Sequence, residues 1–196
     1  MCPVNRRWLL GQWQAGPSPL RTMGLEALYP GRNLSKANQA HKVYPHLLRN
    51  LIIDRSSQVW STDITDIPMA KSFFYLVAVI DWYSRRILAW RLSNAMDNAF
   101  CIDAHEEAIE RNDAPEFFDT EQGCQFASEY FTGTLKSNDI AVSMDGKRGW
   151  GDNVFVKRLW PSVKHEVAYL HAYDDIRTAQ KPLGYHLEFY NTESTH

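Results

Sequence analysis

The sequence predicts an α/β domain, a mixed five-stranded sheet with helices on both faces, preceded by a basic, mostly irregular or short-helical N-terminal arm. Three observations predict it. Phe73 to Ile80 is an unbroken apolar run of the kind found in strands buried on both faces. Val59–Ile67 and Ile87–Leu92 flank it as two further strand-like stretches, and the turn Asp81–Arg86 is short enough to make the second and third strands antiparallel. Beyond them, helix-length and strand-length segments alternate, which fits a mixed sheet covered by helices.

Each element has a local reason. Residues 1–57 contain Pro3, Pro17, Pro19, Pro30 and Pro45 together with Gly11, Gly16, Gly24 and Gly31, a density that permits only short helices, Leu20–Leu28 and Tyr44–Ile52. Asp97 is a favourable N-cap for a helix running to about Arg111, with Ala104, Ala108 and Ile109 on its inner face. Glu116–Asp119, after Pro115, reads as a short strand. Ser128 caps a helix to Asn138, and Ile140–Met144 is a fifth strand. Asn153–Glu166 and Asp174–Tyr190 read as helices, each with a proline inside, Pro161 and Pro182. The expected organisation is therefore an arm over 1–57, a core over 58–191 and a short tail over 192–196.

Of 196 residues, 44% are hydrophobic and 13% aromatic, enough to bury a sizeable core and unlike a disordered chain. The apolar run of β-character is far too short to span a bilayer, and no secretory leader pattern is visible. Cys2, Cys101 and Cys124 are odd in number and widely spaced, so neither a disulfide framework nor a zinc site is expected, and a reducing cytoplasm is the default compartment. The net charge of −2 conceals an asymmetry: residues 1–50 carry seven Lys/Arg and one acid, and the remainder 14 basic against 22 acidic residues. A basic arm before an acidic domain suggests a phosphate-contacting segment beside a carboxylate-rich site.

Several acids fall at strand ends. Asp63 lies within Trp60-Ser61-Thr62-Asp63-Ile64-Thr65, and Asp119 and Glu121 lie within Phe118-Asp119-Thr120-Glu121-Gln122-Gly123. An acid among apolar strand residues is costly to bury unpaired and wants a cation or a hydrogen-bond donor. The surrounding phrases occur in a fixed order: Trp60-x-x-Asp63-Ile64-Thr65, Tyr75-Leu76-Val77-Ala78-Val79-Ile80-Asp81-x-x-Ser84-Arg85, Gln122-Gly123-x-Gln125-Phe126, Asp152-Asn153, Lys164-x-Glu166 and Phe189-Tyr190-Asn191. In these the chain closely resembles transposases of the bacterial IS-three insertion-sequence family and, more distantly, retroviral integrases. Met23-Gly24-Leu25-Glu26-Ala27-Leu28-Tyr29-Pro30 resembles the segment such proteins carry before the catalytic core.

The resemblance implies a ribonuclease H-like fold, metal-dependent DNA cleavage and strand transfer, and a triad of two aspartates and a glutamate holding two Mg²⁺ or Mn²⁺ ions about 3.5–4 Å apart. Asp63 matches the first aspartate and Glu121 falls on the second. The family's spacing of 35 intervening residues then lands on position 157, which is lysine. Glu121 keeps the charge on an arm one methylene longer, where such sites tolerate about 0.5 Å of misplacement. Asp119, two residues earlier, shares its strand face and is an alternative ligand. Lys157 puts an ammonium with no acceptor where a ligand oxygen belongs. It is expected to pair with Asp63 or Glu121, a salt bridge taking the place of the second metal.

The resemblance also assigns DNA contacts to Lys164, Arg85 and Arg158. Pro161 should kink the last catalytic helix between Lys157 and Lys164, at about 3 kcal/mol, and Pro182 should interrupt the final helix. Relatives continue with a basic segment where this chain reads Thr192-Glu193-Ser194-Thr195-His196, so the tail is expected to be truncated. Taken together these departures suggest a degenerate, catalytically impaired copy. The implied partners are transposon ends and target DNA, a second copy of the chain, and a separate helix-turn-helix protein, in a bacterial cytoplasm. The alternatives are a non-catalytic DNA-binding or dimerising remnant, and a nuclease of the same fold. Trp82, Trp90 and Trp160 are expected to pack rather than stack on bases. His105-Glu106-Glu107 is expected on a helix surface, and Trp150–Asn153, with Gly146 and Gly151, in a mobile loop.

Overall fold

The computed structural model describes residues 44–69, 72–121, 125–144, 154–171 and 173–193. The expected helix Leu20–Leu28, the loop Trp150–Asn153, Gln122-Gly123, Cys2 and Cys124 lie outside the described residues. Five strands appear in the expected places: β1 Val59–Pro68, β2 Phe73–Asp81, β3 Ile87–Ser93, β4 Phe117–Thr120 and β5 Ala141–Met144. Among the described residues four helices accompany them: α1 Ala99–Arg111, α2 Glu129–Ser137, α3 Val154–Glu166 and α4 Ile176–Glu193, with a 3₁₀ turn at Ala168–Leu170.

The sheet order is β3-β2-β1-β4-β5. β1–β2 and β2–β3 are antiparallel, whereas β1–β4 and β4–β5 are parallel. The continuous hydrophobicity of β2 follows from this order: with β1 and β3 on either side and helices above and below, both of its faces are buried. One face carries Trp60, Val77, Val79, Phe118, Val142 and Met144, covered by Phe100, Ile102 and Ala104 of α1 and by Phe131 and Leu135 of α2. The other carries Ile67, Leu76, Ala78 and Ile80, covered by Val156, Leu159, Trp160 and Val163 of α3 and by Ala179, Leu183 and Leu187 of α4. Asp63 pairs in register with Ala78 and therefore belongs to the second face, beneath α3.

Capping follows the sequence closely. The Ser128 hydroxyl accepts from the Phe131 N–H at 3.2 Å. Asp97 caps α1 from one position before the N-cap residue, its carboxylate accepting from the Ala99 N–H at 3.1 Å. Asp81 is a structural acid. Its carboxylate accepts from the Ser57 N–H (3.0 Å), the Ser84 N–H (2.8 Å) and the Ser84 hydroxyl (2.5 Å), closing the β2–β3 turn. Asn191 fastens α4 to β3: its amide accepts from the Ile87 N–H at 2.8 Å and donates to the Ile87 carbonyl at 2.9 Å.

Several expectations are corrected. Tyr44–Ile52 is not helical. Asn50 has φ 66°, and the Leu51 N–H closes a turn onto the Leu48 carbonyl. The segment follows the core instead, with Leu48 buried against Val59 and Trp82 and the Leu47 N–H donating to Ser143 Oγ at 3.1 Å. Pro161 and Pro182 do not break their helices; α3 and α4 run through them. A proline removes one rung, and Pro161 lies on the exposed side, while the apolar residues on either side of it remain seated on the sheet. His105 is not a surface residue but is fully buried against Phe118 and Phe131. Glu107 is mostly covered and ion-paired to Arg91 and Arg111, while Glu106 is exposed as expected.

Candidate active site

The parallel pairing of β1 and β4 places the first two acids. Ser61 pairs with Asp119, so Asp63 and Glu121 each stand two residues further along, on the same face of adjacent strands. α3 crosses above them and supplies Lys157 and, one turn on, Trp160. The structure thus brings positions 63, 121 and 157 together. The Lys157 ammonium pairs with the Glu121 carboxylate at 2.6 Å, as expected for a lysine facing two acids.

Each carboxylate oxygen of Asp63 accepts a hydrogen bond from within the chain. Trp160 Nε1–H donates to Oδ2 at 2.9 Å, and the Ile64 N–H donates to Oδ1 at 2.8 Å. Burial pushes the Asp63 carboxyl up to about 6, and the negative charge of Glu121 adds to the rise. The indole hydrogen bond, the Ile64 N–H and Lys157 pull the other way. Trp160 is a packing residue, as expected, but it is also the donor that holds Asp63. The sequence signal available was its spacing of three from position 157, together with the need of a buried indole N–H for an acceptor. Asp119 lies deeper, in register with Ser143 as well as Ser61, with both carboxylate oxygens closed off from solvent.

The basic residues divide into two groups. Lys164 pairs with Asp66 of β1 at 3.1 Å. Arg85 lies over the Phe155 ring, 3.2 Å from its centroid, and faces Arg158 across a small cavity near the start of α3. Trp82 packs edge-to-face with Phe155, their ring centroids 5.3 Å apart.

Residues 54–148 match the family model of the integrase core domain. By these matches the chain is similar to an integrase core and to insertion-sequence transposases. It is 30% identical over 152 residues to the transposase InsF of insertion sequence IS3A from Escherichia coli K12, a match covering 75% of this chain and 53% of that protein. It is 26% identical over 169 residues to the transposase of insertion sequence element IS904 from Lactococcus lactis, covering 85% and 64%. The chain thus spans between about half and just under two thirds of the length of these relatives. Among solved structures, the HTLV-2 integrase catalytic core domain in complex with magnesium superposes with a TM-score of 0.59 at 19% identity, over 72% of this chain and 90% of that one. A chain of the simian T-cell lymphotropic virus intasome gives 0.63 at 18% identity, over 82% and 57%. These likenesses establish the ribonuclease H-like fold.

The magnesium named in the HTLV-2 integrase structure raises the question of fit. Among the described residues, no group of three or more His, Cys, Asp or Glu side chains is arranged to hold a metal ion. Both oxygens of Asp63 already accept from N–H donors, and Glu121 holds an ammonium. Among the described residues, the donor set at this centre does not fit a pair of divalent cations.

Proposed function

We propose that this chain descends from proteins of DNA transposition, retains their DNA-handling core, and is impaired or inactive in DNA cleavage and strand transfer. The Lys157–Glu121 ion pair at 2.6 Å carries the reading. It supplies, from within the protein, the positive charge that a divalent cation would bring to that position. An ammonium can neutralise a carboxylate but cannot present an open coordination position to a water or a DNA 3′-hydroxyl. Asp63, Glu121 and position 157 are the remains of the catalytic set, and Asp119 is too enclosed to replace a lost ligand. Lys164 and Arg158 of α3 and Arg85 are the chain's DNA contacts, Lys164 being released from Asp66 when phosphate competes for it. Transposon ends and target DNA, a second copy of the chain and a helix-turn-helix protein are the partners this reading proposes.

The test is the double substitution Glu121→Asp with Lys157→Glu, assayed on labelled DNA ends with Mn²⁺ beside the native chain. No cleavage by the native chain and cleavage by the double variant support the proposal. Mn²⁺-dependent cleavage by the native chain would refute it. Nicking without strand-transfer product in the double variant favours a nuclease instead.

A further inference from the structure

Away from the acidic centre, the end of α3 meets α4 at a polar cluster that the function proposed above does not use. Ser162 and Glu166 lie one turn apart on α3, and His186 of α4 reaches both. The Ser162 hydroxyl stands 3.0 Å from Glu166 Oε1 and 3.0 Å from His186 Nε2. His186 Nδ1 stands 4.0 Å from Glu166 Oε2.

Counting protons fixes the roles. A carboxylate only accepts, so the single hydroxyl proton of Ser162 goes to Glu166. The Ser162 oxygen must then accept from His186, which puts the imidazole proton on Nε2 and leaves Nδ1 with a bare lone pair. Burial holds the imidazole below its ordinary value against the pull of Glu166, so the ring is neutral at pH 7. Two acceptors, His186 Nδ1 and Glu166 Oε2, therefore face each other across 4.0 Å with no hydrogen between them. The gap is too wide for a hydrogen bond and suits one donor atom that carries at least two hydrogens. A nitrogen about 2.9 Å from each acceptor would see them about 90° apart, which keeps both hydrogen bonds close to straight. Among the described residues no Lys or Arg pairs with Glu166.

Glu166 and His186 open on a cavity of about 410 Å³ walled by Val167, Pro182, Tyr185 and Phe189. His171, also on this cavity, gives its Nδ1–H to the Val167 carbonyl at 3.0 Å, so its neutral ring adds another acceptor, Nε2. α3 ends at Glu166, and the partial negative charge of a helix C-terminus adds to that of the carboxylate. The aromatic rings of Tyr185 and Phe189 offer apolar contact and faces that tolerate a cation.

We propose that this cavity binds an organic primary ammonium, its nitrogen donating to Glu166 Oε2 and His186 Nδ1 and its apolar body lying on Pro182, Tyr185 and Phe189. An ammonium has three donors and no acceptor, the complement of what the cavity presents. A hydroxyl has one hydrogen and can serve only one of the two acceptors. A metal ion at about 2.0–2.2 Å from both would have to lie almost in line between them, and no cluster of three ligating side chains is present among the described residues. The site is independent of the DNA reading and stands or falls without it.

The experiment uses the full chain at pH 7, with 2-phenylethylammonium as the probe and 2-phenylethanol, the same body with a hydroxyl, as its control. Ligand-detected NMR titration measures binding, and ¹⁵N NMR of the imidazoles measures the His186 tautomer. The native chain is expected to bind the ammonium saturably, about tenfold more tightly than the alcohol, because charge-assisted hydrogen bonds are the stronger ones. Glu166→Gln keeps an acceptor for Ser162 but loses the charge, and should weaken ammonium binding about tenfold. Ser162→Ala touches no ligand atom. It frees His186 to move its proton to Nδ1 and meet Glu166 directly, so binding should weaken there as well. In the native chain His186 should carry its proton on Nε2, with the bare Nδ1 shifting as ammonium is added. No saturable binding by the native chain, equal binding of ammonium and alcohol, or full binding by Glu166→Gln or Ser162→Ala would overturn the proposal. So would a native His186 protonated on Nδ1 in the absence of the probe.

Discussion

His105 and Asp63 make opposite demands on pH, and replacing either should expose the other. His105 sits with both ring nitrogens buried and unbonded between Phe118 and Phe131, and burial pushes its imidazole down to about 4. The unfolded chain takes up that proton near 6.5. A depressed folded value means stability present above 6.5 and lost as pH falls through 4. Between pH 7.5 and pH 5 the loss comes to about 2 kcal/mol. Asp63 runs the other way: raised from 3.8 to about 6, it contributes stability below 3.8 that is lost as pH rises through 6, a gain of about 1.4 kcal/mol over the same acidification. The native chain should therefore lose only about 0.6 kcal/mol between pH 7.5 and pH 5 from these two groups. His105→Leu should instead become more stable on acidification by about 1.4 kcal/mol, and Asp63→Asn should lose about 2 kcal/mol. Urea unfolding of the three proteins at the two pH values measures this. A pH response in His105→Leu equal to that of the native chain would show that the buried imidazole is not what makes the fold acid-sensitive.

Three further outcomes follow from the same geometry. Asp81→Ala removes the acceptor of three hydrogen bonds, two from Ser84 in the β2–β3 turn and one from Ser57, and should destabilise by about 3 kcal/mol in chemical denaturation; Asp81→Asn should recover only part of this, because its NH₂ then faces one of the two backbone N–H donors. Asn191→Ala should cost about 2 kcal/mol and accelerate amide exchange at Ile87 ahead of the strand centre, because both hydrogen bonds joining α4 to β3 are lost there. Lys157→Glu exchanges a partly exposed ion pair, 33% and 44% accessible, for a third acid. It should lower the melting temperature at pH 7 by the equivalent of about 1 kcal/mol and recover below pH 5, where the carboxylates take up protons.

The sequence determined most of the framework because its signals are local. A continuous apolar run names a strand with both faces covered, a serine or aspartate before a helix caps it, and a turn too short to cross a sheet makes an antiparallel pair. Positions 63, 121 and 157 were legible through ordered phrases and spacing, and the lysine among them announced its own ion pair. What local reading misjudged were Tyr44–Ile52 and the interruption expected at Pro182. There the outcome turned on which side faced the core: packing on the sheet outweighed one missing rung, and burial of Leu48 outweighed helix formation. Only the tertiary structure decided that Lys157 takes Glu121 rather than Asp63, that Trp160 holds Asp63, that His105 is enclosed, and that Arg85 and Arg158 share a cavity. Each is a contact between residues far apart in the chain, fixed by strand order and by the height at which α3 crosses the sheet. Hydrogen bonds and charges act over a few ångströms in space, and spacing along a sequence does not record which distant side chains will come within them.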